Sequence, residues 1–319
     1  MTPHELLRGC VSRDRPGIEI GPWFNPIAPK RDGYRTTVVD VQELEALRAQ
    51  AEQRGIAPGK IANIEVVDAV GDASRILELI RGAGITTRFG WIVSSHNFEH
   101  LPDPIGFLAG CGELLDPDGS VGLVIPDKRF CFDRFQPHTT LGGMLRARSR
   151  HTDTLEPAWT KFQQKSLAAL LVETDGKRRH AWSMETDCPE KIMVADDIRT
   201  SFQELVKCLE RGTAENFHGH RWRFTPASFE LLIHELRALG LIGLRVDEIC
   251  NTVDTAFAVR LGRAQPWRPL PEELAAFRSG LLLKIEDELA VVSGAYRRLL
   301  ASHDELLASN GLSATSVDS

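Results

Sequence analysis

The sequence predicts an α/β fold with a Rossmann-like sheet of seven strands, a helical insertion and a long C-terminal helix. Short apolar runs alternate with helical patterns through the first half, as in parallel sheets whose strands are joined by crossover helices. Residues 139–215 break this alternation with a polar, helical pattern. After residue 271 apolar residues recur every three or four positions, which is the period of one helix face.

The individual elements follow from the same patterns in chain order. Apolar runs predict strands over residues 16–20, 36–40, 64–67, 89–94, 121–125, 244–249 and 255–261. Helical periods predict helices over residues 41–54, 76–80 and 104–115. A further helix begins with Thr225 as N-cap and Pro226 at its first position, runs to Leu239 and is closed by Gly240. The last two strands are close enough in sequence to form a hairpin.

The chain divides into five predicted segments. They are the first part of an α/β domain (1–138), a helical cap (139–217), the completion of the sheet (218–264), a linker with an amphipathic helix (265–310) and a disordered tail (311–319). The apolar stripe over residues 271–307 has two interpretations, which the sequence leaves open. One is a coiled coil or arm for homo-oligomerisation, and the other is a helix folded back on its own domain.

Composition excludes several classes of protein. The chain has 319 residues, and 38 Lys and Arg against 44 Asp and Glu give a net charge of −6, which disfavours nucleic acid as a partner. The longest apolar runs are too short to span a membrane, and the N-terminus lacks the apolar region of a signal peptide. The six cysteines show no CxxC spacing, so we expect reduced thiols in a cytoplasmic protein.

Acidic and small residues follow the predicted strands at the points where ligands bind in open α/β sheets. Glu19 and Gly21 end the first strand, and Asp40 ends the second. An acid about 20 residues beyond a glycine turn is spaced to accept both hydroxyls of a ribose. Asp72 and Ala73 follow the third strand, where a carboxylate beside a small residue suits an adenine amino group.

These residues occur within blocks that resemble the class I S-adenosylmethionine (SAM)-dependent methyltransferases, most closely a subgroup associated with bacterial glycan biosynthesis. The blocks are GIEIGPWFNP (17–26), VVD (38–40), GDA (71–73), SSHNFEHLPDP (94–104), LLDPDGSVGLVIPDKRFCFDRF (114–135) and HRWRFTP (220–226). The resemblance covers residues 15–262 and excludes the C-terminal helix. GPWFNP stands where the wider class has a glycine-rich GxGxG loop.

The resemblance implies SAM as cofactor and assigns residues to it. Glu19 and Gly21 would lie at its methionine end, Asp40 at the ribose, and Asp72 with Ala73 at the adenine. Three residues after the fourth strand, Ser94, Ser95 and His96, would line the floor near the sulfonium.

Methyl transfer requires an aligned nucleophile and, for a hydroxyl, a proton acceptor. His96 is the first candidate base, because imidazole titrates near neutrality. Asp127 follows the fifth strand, and His220 precedes the next element, so both are further catalytic candidates. Three more residues are candidates for substrate binding: Lys128 and Arg129 for an anionic group, and Trp222 for stacking on a sugar ring.

Each assignment has a structural alternative. Asp127, Lys128 and Arg129 could form an internal ion-pair network, and Trp222 could be core. Glu99 and His100 are interpreted as shaping the start of the following helix rather than taking part in chemistry. His218 and His220 have a spacing compatible with a metal site that would also include His96 or His100. We nevertheless predict no metal site, because no carboxylate or cysteine partner is evident from sequence.

The predicted function is SAM-dependent O-methylation of a hydroxyl on a sugar, glycan or other small-molecule intermediate. The alternative is a non-catalytic, methyltransferase-like binding or assembly protein that acts through its C-terminal helix, for which the stiff GPWFNP loop is the best support. An NAD-dependent oxidoreductase would require a GxGxxG turn after the first strand, and residues 21–26 do not supply it.

Overall fold

The computed structural model describes residues 1–149, 154–183, 191–195, 197–214 and 219–290. The strands are β1 Gly17–Ile20, β2 Thr36–Asp40, β3 Ala69–Val70, β4 Phe89–Ser95, β5 Leu115–Pro126, β6 Ala169–Val172, β7 Arg178–Arg179, β8 Ile192–Val194, β9 Leu244–Val253 and β10 Ala256–Arg263. The helices are α1 Pro3–Cys10, α2 Leu44–Gln53, α3 Pro58–Ile61, α4 Ile76–Gly82, α5 Pro104–Leu114, α6 Leu141–Ser149, α7 Glu156–Ser166, α8 Ile198–Arg211, α9 Pro226–Ala238 and α10 Pro271–Ala290.

Seven strands form one sheet in the order β3-β2-β1-β4-β5-β10-β9. The first five pair in parallel, whereas β10 runs antiparallel to β5 and pairs with β9 as the predicted hairpin. The strand order reverses between β1 and β4, and the crevice at such a switch point is where open α/β sheets bind ligands. The predicted Rossmann-like, seven-stranded fold class is confirmed.

The third strand lies later in the chain than the sequence predicts. Residues 64–67 form no strand, and β3 is the short Ala69–Val70 segment instead. Ile64 packs in a small apolar cluster with Leu47 and Ala51 of α2, so its burial comes from a helix rather than from the sheet. Of the apolar residues in this run only Ile64 is buried, and Val66 is exposed, so the pattern correctly predicted neither a buried strand nor its pairing.

Both faces of the sheet are covered by helices. On one face Ile18, Ile92 and Leu123 share a core with Phe107 of α5 and Phe229 of α9. On the other face the second core contains apolar residues of α1 and the sheet: Leu6, Leu7, Trp91, Val93, Val124 and Ala258. Helix α1 was not predicted, although its Thr2–Glu5 capping box is a local signal that the sequence does contain.

The sequence predicted a purely helical insertion between β5 and α9, and this prediction was wrong. It includes a three-stranded antiparallel sheet in the order β7-β6-β8, beside α6, α7 and α8. These strands are four residues long or shorter, so they are too short to show a period in the sequence. A small core of Phe130, Ala169, Leu171 and Trp182 joins this sheet to the segment after β5.

Helix α10 folds back on its own domain. Leu281 and Ile285 pack against Ala227 and Leu231 of α9, and Arg278 forms a 2.7 Å ion pair with Glu235. This supports the fold-back interpretation for Pro271–Ala290, while the rest of the predicted 271–307 helix lies outside the described residues. Within the described part of the chain, no helix combines the length and apolar character needed to cross a membrane.

Candidate active site

The residues predicted to bind the cofactor share one edge of the sheet. The Gly21 amide donates to the Val39 carbonyl at 2.9 Å, and the Gly71 amide donates to the Asp40 carbonyl at the same distance. These bonds hold the ends of β1, β2 and β3 side by side. Gly21 has φ +62°, a backbone conformation that glycine adopts without strain, and a β-carbon there would meet no atom closer than 3.8 Å. The edge therefore offers close access to the backbone.

Glu19 holds the loop that follows β1. Its carboxylate is buried and accepts hydrogen bonds from the amides of Ile27 at 2.6 Å and Ala28 at 3.0 Å. Burial raises the pKa of Glu19, and these two amides oppose the shift. Because both oxygens accept backbone N–H groups, Glu19 acts on the shape of the loop between Gly21 and Ala28 rather than reaching outward from it.

Asp40 and Asp72 present carboxylates beside this loop. Asp40 is buried at the end of β2 and accepts from the Gln42 amide at 3.3 Å. Burial raises its pKa, and the amides of Gln42 and Val41 lower it. Asp72 is exposed, and one of its oxygens caps the short turn that starts at buried Ala73 by accepting from the Ser74 amide at 2.9 Å. Each carboxylate keeps acceptor capacity, since an ionised carboxylate has about four lone-pair sites.

The GPWFNP loop is packed rather than open. Trp23 has φ +43°, an unusual value for a bulky residue, and its indole donates to the Leu47 carbonyl of α2 at 3.2 Å. Ser94 and Ser95 lie on β4 at the same edge, where Ser94 is paired with Ile20. The structure thus brings the predicted cofactor residues together, with a stiffened loop above them.

A cluster of imidazoles surrounds one buried carboxylate just after β4. His96 has φ +52°, and its half-exposed ring places Nδ1 3.9 Å from Oε1 of Glu99. The same oxygen lies 3.6 Å from His100 Nε2 and 3.8 Å from His220 Nε2. Glu99 is 1% exposed, and burial raises its pKa to about 7, with His220 opposing the shift. Desolvation, with His220 next, lowers the pKa of His96.

His220 is held from behind by a second carboxylate. Its Nδ1 lies 2.5 Å from Asp133 Oδ2, and Arg223 Nε lies 3.5 Å from the other Asp133 oxygen. His96 and His220, two of the three predicted catalytic residues, therefore share one cluster. The ring of His220 is fixed by Asp133 and contacts Phe132, with 4.6 Å between ring centroids.

Asp127, Lys128 and Arg129 lie apart from this cluster in the interior. Asp127 is fully buried and accepts bonds from the Arg129 guanidinium at 2.6–3.1 Å and from Thr252 Oγ1 at 2.6 Å. Arg129 also donates to the Glu288 carbonyl of α10, and Lys128 donates to the Arg134 carbonyl. Burial lowers the pKa of Lys128. This arrangement supports the internal ion-pair alternative over a catalytic Asp127 or an anion-binding Lys128 and Arg129.

A cavity of about 550 Å³ opens between the insertion and the segment around Trp222. Its wall includes Trp159, Trp222, Arg146, Arg221, Arg223 and Glu156. Burial lowers the pKa of Arg221, while Glu156 and Asp72 oppose this. Trp222 is mostly core: its indole donates to the Leu101 carbonyl at 2.7 Å, so only part of the residue faces the cavity.

Sequence reasoning missed Glu99 and Asp133 as parts of the site, and it considered His100 only as a partner of His220 in a metal site that it did not predict. Glu99 was interpreted as shaping the start of α5, yet the cap there is Asp103, which accepts from the Gly106 amide at 3.0 Å. The HNFEH run was the available signal for Glu99 and His100, because a 3-10 turn brings residues three apart together. No local signal marked Asp133, since its partner His220 is 87 positions away.

The strand order and the one antiparallel strand, β10, make this a Rossmann-like fold with a seven-stranded, mostly parallel sheet. Similar solved structures include the CcbJ methyltransferase from Streptomyces caelestis, with 13% identity over 82% of this chain and 89% of that one and a TM-score of 0.39. The glycopeptide N-methyltransferase MtfA bound to S-adenosyl-L-homocysteine has 14% identity over 82% and 88% of the two chains and a TM-score of 0.35.

A SAM-dependent methyltransferase from Aquifex aeolicus has 14% identity over 81% and 88% of the two chains, with a TM-score of 0.32. No known family profile matches the chain, and no curated protein matches it in sequence. The assignment of the fold therefore depends on the strand order and not on any one of these alignments.

Proposed function

We propose that this protein is a SAM-dependent methyltransferase that methylates a hydroxyl group of a small-molecule or glycan acceptor. The observation that supports it most is the common edge on which Gly21, Asp40 and Asp72 meet, held in line by the amides of Gly21 and Gly71. Asp40 would accept the ribose hydroxyls and Asp72 the adenine amino group. Ser94 and Ser95 would lie below the sulfonium.

SAM, when bound, supplies an electrophilic methyl group together with its own leaving group. The chain would have to orient the acceptor and remove a proton. His96 is the proposed base, because its ring is half-exposed and desolvation lowers its pKa, which favours the neutral imidazole that can accept a proton. His220 would support it from within the same cluster.

The cavity lined by Arg221, Trp222 and Arg223, the three residues that follow His220 in the chain, is the proposed acceptor site. Its volume lies within the ordinary range for small-molecule pockets. Arg146 and Arg221 against Glu156 give its wall a positive balance, while Arg223 is paired with Asp133. This balance suits an acceptor with a phosphate or carboxylate. These arginines take the place that the sequence assigned to Lys128 and Arg129. The sugar character of the acceptor and the cytoplasmic location stay predictions from sequence.

Calorimetric titration of the full chain with SAM and with its demethylated product tests the proposal. We expect saturable binding of both, and Asp40→Ala should weaken it about 10–100-fold, the effect of losing hydrogen bonds to a charged group. Glu45→Gln is the matched control, because Glu45 is an exposed acid on the neighbouring helix α2. Absence of binding by the folded wild-type protein would instead favour the non-catalytic, methyltransferase-like alternative.

A further inference from the structure

The Glu99 carboxylate is buried without a hydrogen-bond partner among the described residues. Both of its oxygens are enclosed and unpaired, although a buried carboxylate is costly unless it is paired. Its Oε1 is surrounded by imidazole nitrogens of His100, His220 and His96 at 3.6, 3.8 and 3.9 Å. These distances are too long for hydrogen bonds. They are closer to the separation of two ligands that share one ion.

In two of these imidazoles, the ring nitrogen that points away from Glu99 already has a hydrogen-bond partner. His100 Nδ1 lies 3.2 Å from the Gly219 carbonyl, and His220 Nδ1 lies 2.5 Å from Asp133 Oδ2. A proton on each Nδ1 would leave the Nε2 lone pairs facing Glu99. Metal-binding histidines in proteins are oriented in this way, by a carbonyl or carboxylate at the outer nitrogen.

We propose that Glu99, His100 and His220 form a binding site for a divalent transition metal of the zinc type. One ligand atom from each of the three residues lies within 4.8 Å of the others. Tetrahedral zinc at its usual bond lengths separates its ligands by about 3.3 Å, so small side-chain rotations would complete the site. Two imidazoles and one carboxylate suit zinc or a similar ion, whereas magnesium favours oxygen ligands.

A second group, Cys131, Asp133 and His220, shares one histidine with this site. Asp133 Oδ2 already forms a hydrogen bond with His220 Nδ1, and the Cys131 thiol lies 3.8 Å from the same carboxylate oxygen. His220 cannot direct both nitrogens at one ion. We therefore assign Asp133 to the outer position, where it orients His220 toward Glu99.

The metal site gives the proposed methyltransferase function a specific requirement on its acceptor. Three protein ligands leave zinc an open position, as in catalytic zinc sites. The half-exposed side chains of His96 and His100 lie on the accessible side of the cluster. Such an ion would make an acceptor hydroxyl more acidic, and the half-exposed His96 beside Glu99 would be the proton acceptor.

Metal binding can be measured without any turnover. The full-length protein is treated with a chelator, dialysed and titrated with Co²⁺, and the visible absorption of the bound ion is followed; Zn²⁺ is then added to displace it. We expect one Co²⁺ per chain. Glu99→Gln and His100→Ala should weaken binding by at least 10-fold, whereas His180→Ala, which removes an exposed histidine of the insertion, should leave it unchanged.

Circular dichroism and SAM titration of each variant show whether it is folded. The proposal is overturned if the wild-type protein binds no Co²⁺ saturably, or if folded Glu99→Gln and His100→Ala variants bind it as tightly as the wild-type protein does. If the wild-type protein binds SAM but not Co²⁺, the metal site is overturned and the proposed function stands. If it binds Co²⁺ but not SAM, the proposed function is overturned and the metal site stands.

Discussion

Nδ1 of His220 lies 2.5 Å from Oδ2 of Asp133, and both side chains are buried. Asp133 contacts the cluster at His220, so its effect on the proposed metal ligands would pass through that ring. Asp133→Asn should weaken metal binding about 10–100-fold, because an amide orients the ring less strongly than a carboxylate does. SAM affinity should not change. Co²⁺ and SAM titrations of the same preparation measure the two effects separately.

Asp175→Asn is the control for that prediction, since Asp175 lies in an exposed turn of the insertion. Asp133→Glu should restore part of the metal affinity, because it restores the charge. Equal losses of SAM and metal affinity in Asp133→Asn would show a general structural role instead.

The buried pair of Asp127 and Arg129 is predicted to support stability rather than chemistry. Asp127→Asn should lower the free energy of unfolding by about 3–5 kcal/mol, because it leaves a buried guanidinium without its partner. Asp116→Asn removes a more exposed partner of Arg15 and should cost about 1 kcal/mol or less. Urea unfolding compares the two variants. A stable Asp127→Asn protein that binds SAM but does not turn over would identify Asp127 as a catalytic group.

Helix α10 offers a matched pair of leucines for testing its fold-back packing. Leu281 is 8% exposed against α9, and Leu283 is 62% exposed. Leu281→Ala should lower the free energy of unfolding by about 2–4 kcal/mol, and Leu283→Ala by less than about 0.5 kcal/mol. Urea unfolding at two protein concentrations measures both. If both variants lose a similar free energy of unfolding, and the loss depends on protein concentration, the helix would instead be an arm for homo-oligomerisation.

Glu288 links α10 to the start of α9 and should make stability depend on pH. Its carboxylate accepts from the Ala227 amide at 3.2 Å, and burial raises its pKa above the ordinary value of 4.5. The folded state therefore holds the proton more tightly than the unfolded state. This contribution is fully present below pH 4.5 and is lost as pH rises through the raised pKa.

Glu288→Gln, which cannot ionise, should gain stability relative to the wild-type protein as pH rises from about 4 to about 8. Urea unfolding across this range measures the difference, with Glu286→Gln as a control on the exposed side of the same helix. A difference that stays constant or shrinks with rising pH would contradict the prediction.

Local patterns in the sequence were enough for the sheet except β3, and for its carboxyl edge. Runs such as 36–40 and the Thr225–Pro226 cap predicted β2 and α9, since strand burial and helix capping depend on neighbouring residues. The positions of Glu19, Asp40 and Asp72 at strand ends followed from the same reasoning. Short elements failed, as β3 and β6 to β8 show, because a few residues do not establish a period.

The sequence by itself therefore determined the fold class and the edge on which a nucleotide-like cofactor would bind. Only the tertiary structure decided which polar groups face each other. The sequence allowed Asp127 to be a base, but in the structure its carboxylate accepts hydrogen bonds from Thr252 and Arg129. Thr252 is 125 positions away in the chain. The contact of His220 with Glu99 arises where two distant segments cross. Such contacts depend on how the chain closes in space, and no local pattern encodes that closure.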